Sequence, residues 1–177
     1  MLMDVFSNPS MPFYKFGNIL FLEKIIEEKW IPFICERFSE TGKQISSEQA
    51  GKIAELVDNH PYYVQQLAQQ VWFRTTKKCH DEQITDAFNN IVDQLSLLFT
   101  NISETLSKTE LSLLKAIIHK EKQLTSQKTL KKYHLGTSAN VIRLRKILID
   151  REIISIKGDT IIFHDPFFAF WLETRYF

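Results

Sequence analysis

Apolar positions recur at helical spacing through most of the chain. Ile31, Phe33, Ile34 and Phe38 mark one amphipathic helix beginning at Trp30 and closed by Thr41-Gly42. Ala50, Ile53, Ala54 and Val57 follow at i, i+3, i+4 and i+7, behind a capping box formed by Ser46 and Gln49. Val64, Leu67, Ala68 and Val71 repeat the spacing, with Pro61 suited to the first turn and Asp58 and Asn59 available as caps. Ile84, Phe88, Ile91, Leu95 and Phe99 carry a fourth helix after Asp81. Four consecutive amphipathic helices with short links predict a small helical bundle over about 30 to 105.

Beyond that point the rhythm changes. Ser107-Lys-Thr-Glu110 is a second capping box, followed by an apolar stripe of Leu111, Leu114 and Ile118. A shorter helix is predicted from Thr125 to Tyr133, with Leu130 and Tyr133 inward, and Gly136 permits a sharp turn. Thr137 or Ser138 caps a longer helix with Val141, Leu144 and Leu148 inward, ending near Arg151. Ile153–Ile156 and Thr160–Phe163 read as two short strands joined across Lys157-Gly158-Asp159. Helix, helix, turn, helix and β-hairpin is the layout of a winged helix, with the third helix in the recognition position. The expected fold class is therefore mostly α: a small helical bundle, then a winged helix-turn-helix with a β-hairpin wing.

The first 26 residues depart from both patterns. Pro9, Pro12 and Gly17 interrupt any helix, and Asn18-Ile-Leu-Phe-Leu22 reads as a short buried strand with no neighbouring strand until near the end of the chain. This suggests a strand taken from a sheet. The expected division is 1–28 as a core remnant, 29–105 as the bundle and 106–177 as the winged helix with a closing C-terminal helix.

Charge sharpens the division. Residues 1–105 carry a net −5 and residues 106–177 a net +6, so the overall +1 conceals an acidic part and a basic part. A basic half is suited to a polyanion, although solvated surfaces alone also produce such a split. No apolar run approaches the length of a membrane span, and the N-terminus lacks the basic and apolar regions of a secretory signal. Two cysteines, Cys35 and Cys79, form neither a disulfide framework nor a zinc site and are expected as free thiols in a reducing cytoplasm. Of fourteen Phe, six lie in the first 38 residues and five in the last 15, an apolar weighting at both ends.

Catalytic constellations are missing from the sequence. It contains no G-x-x-x-x-G-K-[ST], and Gly42-Lys43 is followed by Gln. The histidines at 60, 80, 119, 134 and 164 show no metal-ligand spacing, and His80-Asp81-Glu82 reads as an exposed helix start. Catalysis by this chain alone, a resident metal and a resident cofactor are therefore not expected. The basic residues offer more. Lys128, Lys131 and Lys132 lie on or just after the second helix of the winged helix; Arg143, Arg145, Lys146 and Arg151 lie on the third, and Lys157 lies in the wing. Lys and Arg in those places can neutralise phosphates, and an Arg facing the groove can pair with guanine. The same residues also serve simply as a solvated helix face. His60-Pro61 at a helix start is either an ordinary N-terminus or an anion site over a nucleotide held elsewhere.

Asn59-His-Pro-Tyr-Tyr-Val-Gln-Gln-Leu-Ala-Gln-Gln-Val-Trp72 resembles the "G-H-P-Y" helix start in the lid of archaeal-type ATPases, a branch of the AAA+/STAND P-loop superfamily. Trp30-Ile-Pro-Phe-Ile34 through Thr41-Gly-Lys43 resembles the first lid helix, and Pro12-Phe-Tyr14 with Ile19–Leu22 the segment leaving the nucleotide-binding core. Asp165-Pro-Phe-Phe168 with Trp171-Leu172 resembles the "D-P-x-F-x-x-W-L" close after the winged helix. Asn59 stands where the family usually has Gly.

The resemblance implies a non-catalytic lid and winged-helix portion of a P-loop ATPase, either a fragment or a truncated reading frame. His60 and Pro61 would be its nucleotide contacts, while ATP and Mg²⁺ would be held by a core these residues lack. Its role would be regulatory, coupling nucleotide state to a protein partner or double-stranded DNA. The alternatives are a free-standing winged-helix DNA-binding regulator, with the bundle for dimerisation, and a protein-interaction adaptor. The N-terminal Phe residues are expected to be exposed, disordered or buried against a second copy, making a homo-oligomer one expectation.

Overall fold

A computed structural model describes residues 6, 9–14 and 25–177. The strand expected at Asn18–Leu22, together with Phe16 and Phe21, lies outside those residues. Phe13 is exposed and Phe6 half-buried.

The bundle consists of α1 (Glu27–Ser39), α2 (Ser47–Leu56), α3 (Pro61–Arg74) and α4 (Asp81–Glu104). The first helix starts three residues before Trp30, because Glu27 and Glu28 suit the positive end of a helix even though neither is apolar. It buries Trp30, Ile34 and Phe38 against α2. The Ser46–Gln49 box forms as the sequence predicts, each residue's side chain accepting from the other's backbone N–H at 3.2 Å. Asp58 and Asn59 do not cap α3. Both adopt left-handed backbone (φ 51° and 55°), and the Asn59 N–H closes α2 by donating to the Ala54 carbonyl. Pro61 occupies the first helical position of α3, which makes His60 the residue at its N-cap. Gln44 pairs with the backbone at Lys77 and Cys79, so the α1–α2 link is stitched to the α3–α4 link.

The winged helix follows as α5 (Lys108–Ile118), α6 (Gln127–Lys132), α7 (Ser138–Asp150), β1 (Ile154–Lys157) and β2 (Thr160–Phe163). Its inward set on α5 is centred on Leu113 and Leu114, while Leu111 and Ile118 are half-buried at the edge. Ser126 caps α6 and Thr137 caps α7, and Gly136 turns between them at φ 79°. The strands pair antiparallel with Lys157 opposite Thr160, so Lys157 ends a strand and Gly158-Asp159 alone forms the turn.

Chain closure comes from α8 (Pro166–Trp171) and a single π turn over Leu172–Tyr176. Asp165 caps α8 by accepting from the N–H groups of Phe167 and Phe168 at 2.8 and 3.1 Å. This helix returns to α4: Phe167 and Phe170 meet Phe88, while Phe168 and Trp171 meet Phe99. The Trp171 indole N–H donates to Ser96 Oγ at 3.1 Å. The other side of α8 faces β2 through Phe163 and Phe168. A continuous buried cluster consequently runs from Trp30 to Leu172, through bundle and winged helix alike.

Candidate functional site

Two regions carry the residues singled out from the sequence. The first is the outer surface of α6, α7 and the wing. Core burial of Val141, Leu144 and Leu148 orients α7, and its opposite side presents Ala139, Ile142, Arg143 and Lys146 to solvent. Arg143 donates to Asn140 Oδ1 at 2.9 Å, which holds the guanidinium along the helix surface. Asn140 is itself anchored, donating to the Leu135 carbonyl at 2.9 Å. Lys128 and Lys131 stand exposed on α6, and Lys157 at the end of β1.

Arg145 and Lys132 separate from that group. Arg145 is half-buried and lines an open groove of about 970 Å³ with Ile117, Leu124, Ile161, Phe163 and Phe170. Lys132 donates to Glu121 Oε1 at 2.7 Å and sits over the Tyr133 ring. The same carboxylate oxygen accepts from the Tyr133 hydroxyl at 3.0 Å, and His119 Nδ1 lies 2.9 Å from that hydroxyl. With the phenolic proton committed to Glu121, the imidazole must donate from Nδ1. Hydrogen bonds from Lys132 and Tyr133 hold the Glu121 carboxyl below its ordinary range, and the Glu121 bond raises the Lys132 ammonium. This chain ties the end of α5 to the end of α6, so Lys132 has a structural partner that its six-residue helix did not reveal.

Arg151, at the end of α7, donates to the Thr105 carbonyl at 3.2 Å. Burial pushes the Glu110 carboxyl up, but hydrogen bonds from Ser107 and the charges of Arg151 and Arg143 outweigh it and hold the group low. Positive charge on α7 therefore also serves the α5 capping box.

The second region is the start of α3. His60 packs on Tyr63, with ring centroids 4.8 Å apart. Tyr63 in turn meets Phe167 edge-on at 5.0 Å and donates its hydroxyl to Asp165 Oδ2 at 2.6 Å. The His-Pro-Tyr-Tyr segment and the Asp-Pro-Phe-Phe segment are thus neighbours in space. Their adjacency is invisible to helical periodicity, because Tyr63 lies beside the Val64–Leu67–Val71 stripe rather than on it.

Trp30 and Trp171 are buried, and Trp72 is half-buried. The Trp72 indole N–H donates to Thr41 Oγ1 at 2.8 Å, while Lys43 Nζ lies 3.8 Å above its ring. Cys35 and Cys79 are both free thiols. Among the described residues, no group of His, Cys, Asp and Glu could hold a metal ion, and no helix is long and apolar enough to cross a membrane.

Comparison with known proteins bears on the second half of the chain. No curated protein and no solved structure matches the sequence. A family model described as "Probable winged helix domain" matches residues 97–174, from the last two turns of α4 to the π turn after α8. A winged helix domain is therefore present in this chain, and α5 to α8 with the hairpin are its elements.

Proposed function

We propose that the chain is a regulatory, non-catalytic module of a P-loop ATPase, in which the bundle is the lid and the winged helix is the output. The supporting observation is the junction at Tyr63. The two segments resembling family motifs, His60–Tyr63 and Asp165–Phe168, are joined by a hydrogen bond and an aromatic contact. A lid that moves with nucleotide state would carry the winged helix with it, because their cores are continuous. The sequence carries no G-x-x-x-x-G-K-[ST] phosphate loop. In this reading ATP and Mg²⁺ are held by a core outside the described residues, with His60 and Pro61 approaching from the lid.

The decisive observation is the genomic sequence upstream of Met1. A Walker motif in frame, or in an adjoining frame, supports the module. Labelled ATP titrated into the purified chain is expected to give no binding, and micromolar binding would overturn this division of labour. In a protein carrying the core as well, His60→Ala is expected to raise the KM for ATP.

A second reading, a free-standing duplex-binding regulator, draws on the exposed Lys128, Lys131, Arg143, Lys146 and Lys157. It predicts duplex affinity that falls steeply with salt, with a shallower salt slope after replacing Arg143 and Lys146. Undetectable duplex binding at low salt removes it.

A further inference from the structure

The groove beside Arg145 is an apolar trough. Its walls come from the end of α5 and the link to α6, from α7, from β2 and from α8. Ile117, Ile118, Leu124, Ile161, Phe163 and Phe170 line it, and each is only half-buried. The hairpin register explains the wing's share. Phe163 pairs with Ile154 and Ile161 with Ile156, so these four side chains share one face. Ile154 is fully buried and Ile156 is 48% exposed, so that face leaves the core and continues outward along the wing.

Charge in the trough is unevenly committed. Lys120, Lys122 and Arg145 line it, as do Glu121, Asp159 and Glu173. Glu121 is engaged by Lys132 and Tyr133, while Lys120, Lys122, Asp159 and Glu173 stand exposed. Arg145 is half-buried, and among the described residues it has neither an ion-pair nor a hydrogen-bond partner. It is therefore the one lining charge that is both half-buried and unpaired.

We propose that this trough binds a small organic carboxylate with an apolar body, its head on Arg145 and its body along the apolar wall. The planar guanidinium fork matches a carboxylate, and the pairing strengthens where the site is partly shielded from water. Six apolar side chains around one unpaired cation complement a ligand with one charged end. A peptide would instead bring a polar amide at every residue, each needing a partner. The volume of about 970 Å³ lies at the upper end of sites that hold small ligands. A ligand there would touch β2, α7, α5 and α8 together, bracing the wing against the body of the domain.

The test is isothermal titration calorimetry of the whole chain with decanoate, octanoate and decanol, all kept below micelle formation. Decanoate is expected to bind once per chain, and octanoate about tenfold more weakly for its two lost methylenes. Decanol, which lacks the charge, is expected to bind about tenfold more weakly than decanoate. Arg145→Gln is expected to remove the difference between decanoate and decanol while leaving decanol affinity unchanged. Ile161→Asp sets a like charge in the trough at a half-buried wing position and is expected to abolish decanoate binding. Unchanged circular dichroism for both variants confirms an intact fold. Equal decanoate affinity for wild type and Arg145→Gln overturns the assignment of the carboxylate to Arg145. Equal affinity for octanoate and decanoate overturns the apolar trough. Absence of decanoate binding overturns the proposal outright, and binding of a short peptide of alternating Leu and Glu in its place gives the groove to a protein partner.

Discussion

The Tyr63 hydroxyl donates to Asp165 Oδ2 at 2.6 Å across 102 residues of sequence. Asp165 uses its other oxygen to cap α8, so one carboxylate serves both the helix start and the bridge to the bundle. A hydrogen bond to a charged acceptor contributes about 1.5–3 kcal/mol. Tyr63→Phe should lose an amount at the lower end of that range, because the ring still packs on Phe167. Asp165→Ala should cost more, removing the cap as well. Urea unfolding of both single variants and the double variant measures the coupling, which should be positive.

The same bond sets an alkaline limit. Burial, followed by the hydrogen bond and charge of Asp165, pushes the Tyr63 phenol well above its ordinary value of 10.0. The fold thus favours the neutral phenol. Its contribution is complete below the unfolded-state value of about 10 and is lost as pH climbs through the raised one. Stability measured upward from about pH 10 should fall for the wild type and fall less for Tyr63→Phe.

Glu110 predicts the opposite limb. Glu110 is 5% exposed, and its carboxylate accepts from the Ser107 N–H at 2.7 Å. Its value in the fold is lowered, so its contribution is present above the unfolded-state value of about 4.3 and is lost as pH falls through the folded one. Glu110→Gln preserves an acceptor for the capping box and should flatten the acid limb. Glu110→Ala should cost about 1–2 kcal/mol at neutral pH, as loss of a cap does.

Two glycines should respond with opposite signs. A Cβ on Gly51 would meet Glu27 Oε1 at 2.7 Å, but that oxygen ends a flexible, exposed side chain that can swing aside. Gly51→Ala should therefore be neutral or stabilising by about 0.5–1 kcal/mol, the helix-propensity gain. Gly136 sits at φ 79° between α6 and α7, where a Cβ strains the backbone even with room around it. Gly136→Ala should destabilise by about 1–2 kcal/mol in thermal melts.

Thiol labelling should separate the cysteines. Burial raises both thiols, yet Cys35 is half-buried and Cys79 only 1% exposed. Ellman's reagent should therefore modify Cys35 first and reach Cys79 only on local opening.

Local pattern carried much of this architecture. The stripes of α2, α3, α4 and α7, both Ser-x-x-Gln/Glu boxes, the Gly136 turn and the Gly158-Asp159 hairpin are each encoded within a few residues. What escaped was non-local or off the stripe. Asp58 and Asn59 read as caps from composition, but Pro61 fixed the cap at His60 and turned them into the close of α2. Lys132 read as a surface cation, although the Glu121 that takes its charge lies across a loop. Ile142 was legible in principle, as an apolar residue opposite the Val141–Leu144–Leu148 stripe. The Tyr63–Asp165 bridge was not, since nothing in either segment's spacing specifies a partner a hundred residues away.

The placement of α8 has a consequence during synthesis. Phe88 and Phe99 emerge from the ribosome with α4, while the helix that covers them is made some seventy residues later. Until α8 docks, the nascent chain carries an uncovered aromatic face, open to chaperones or to neighbouring chains. A ribosome that stalls within the wing would therefore release not a finished bundle with a ragged tail, but an adhesive intermediate.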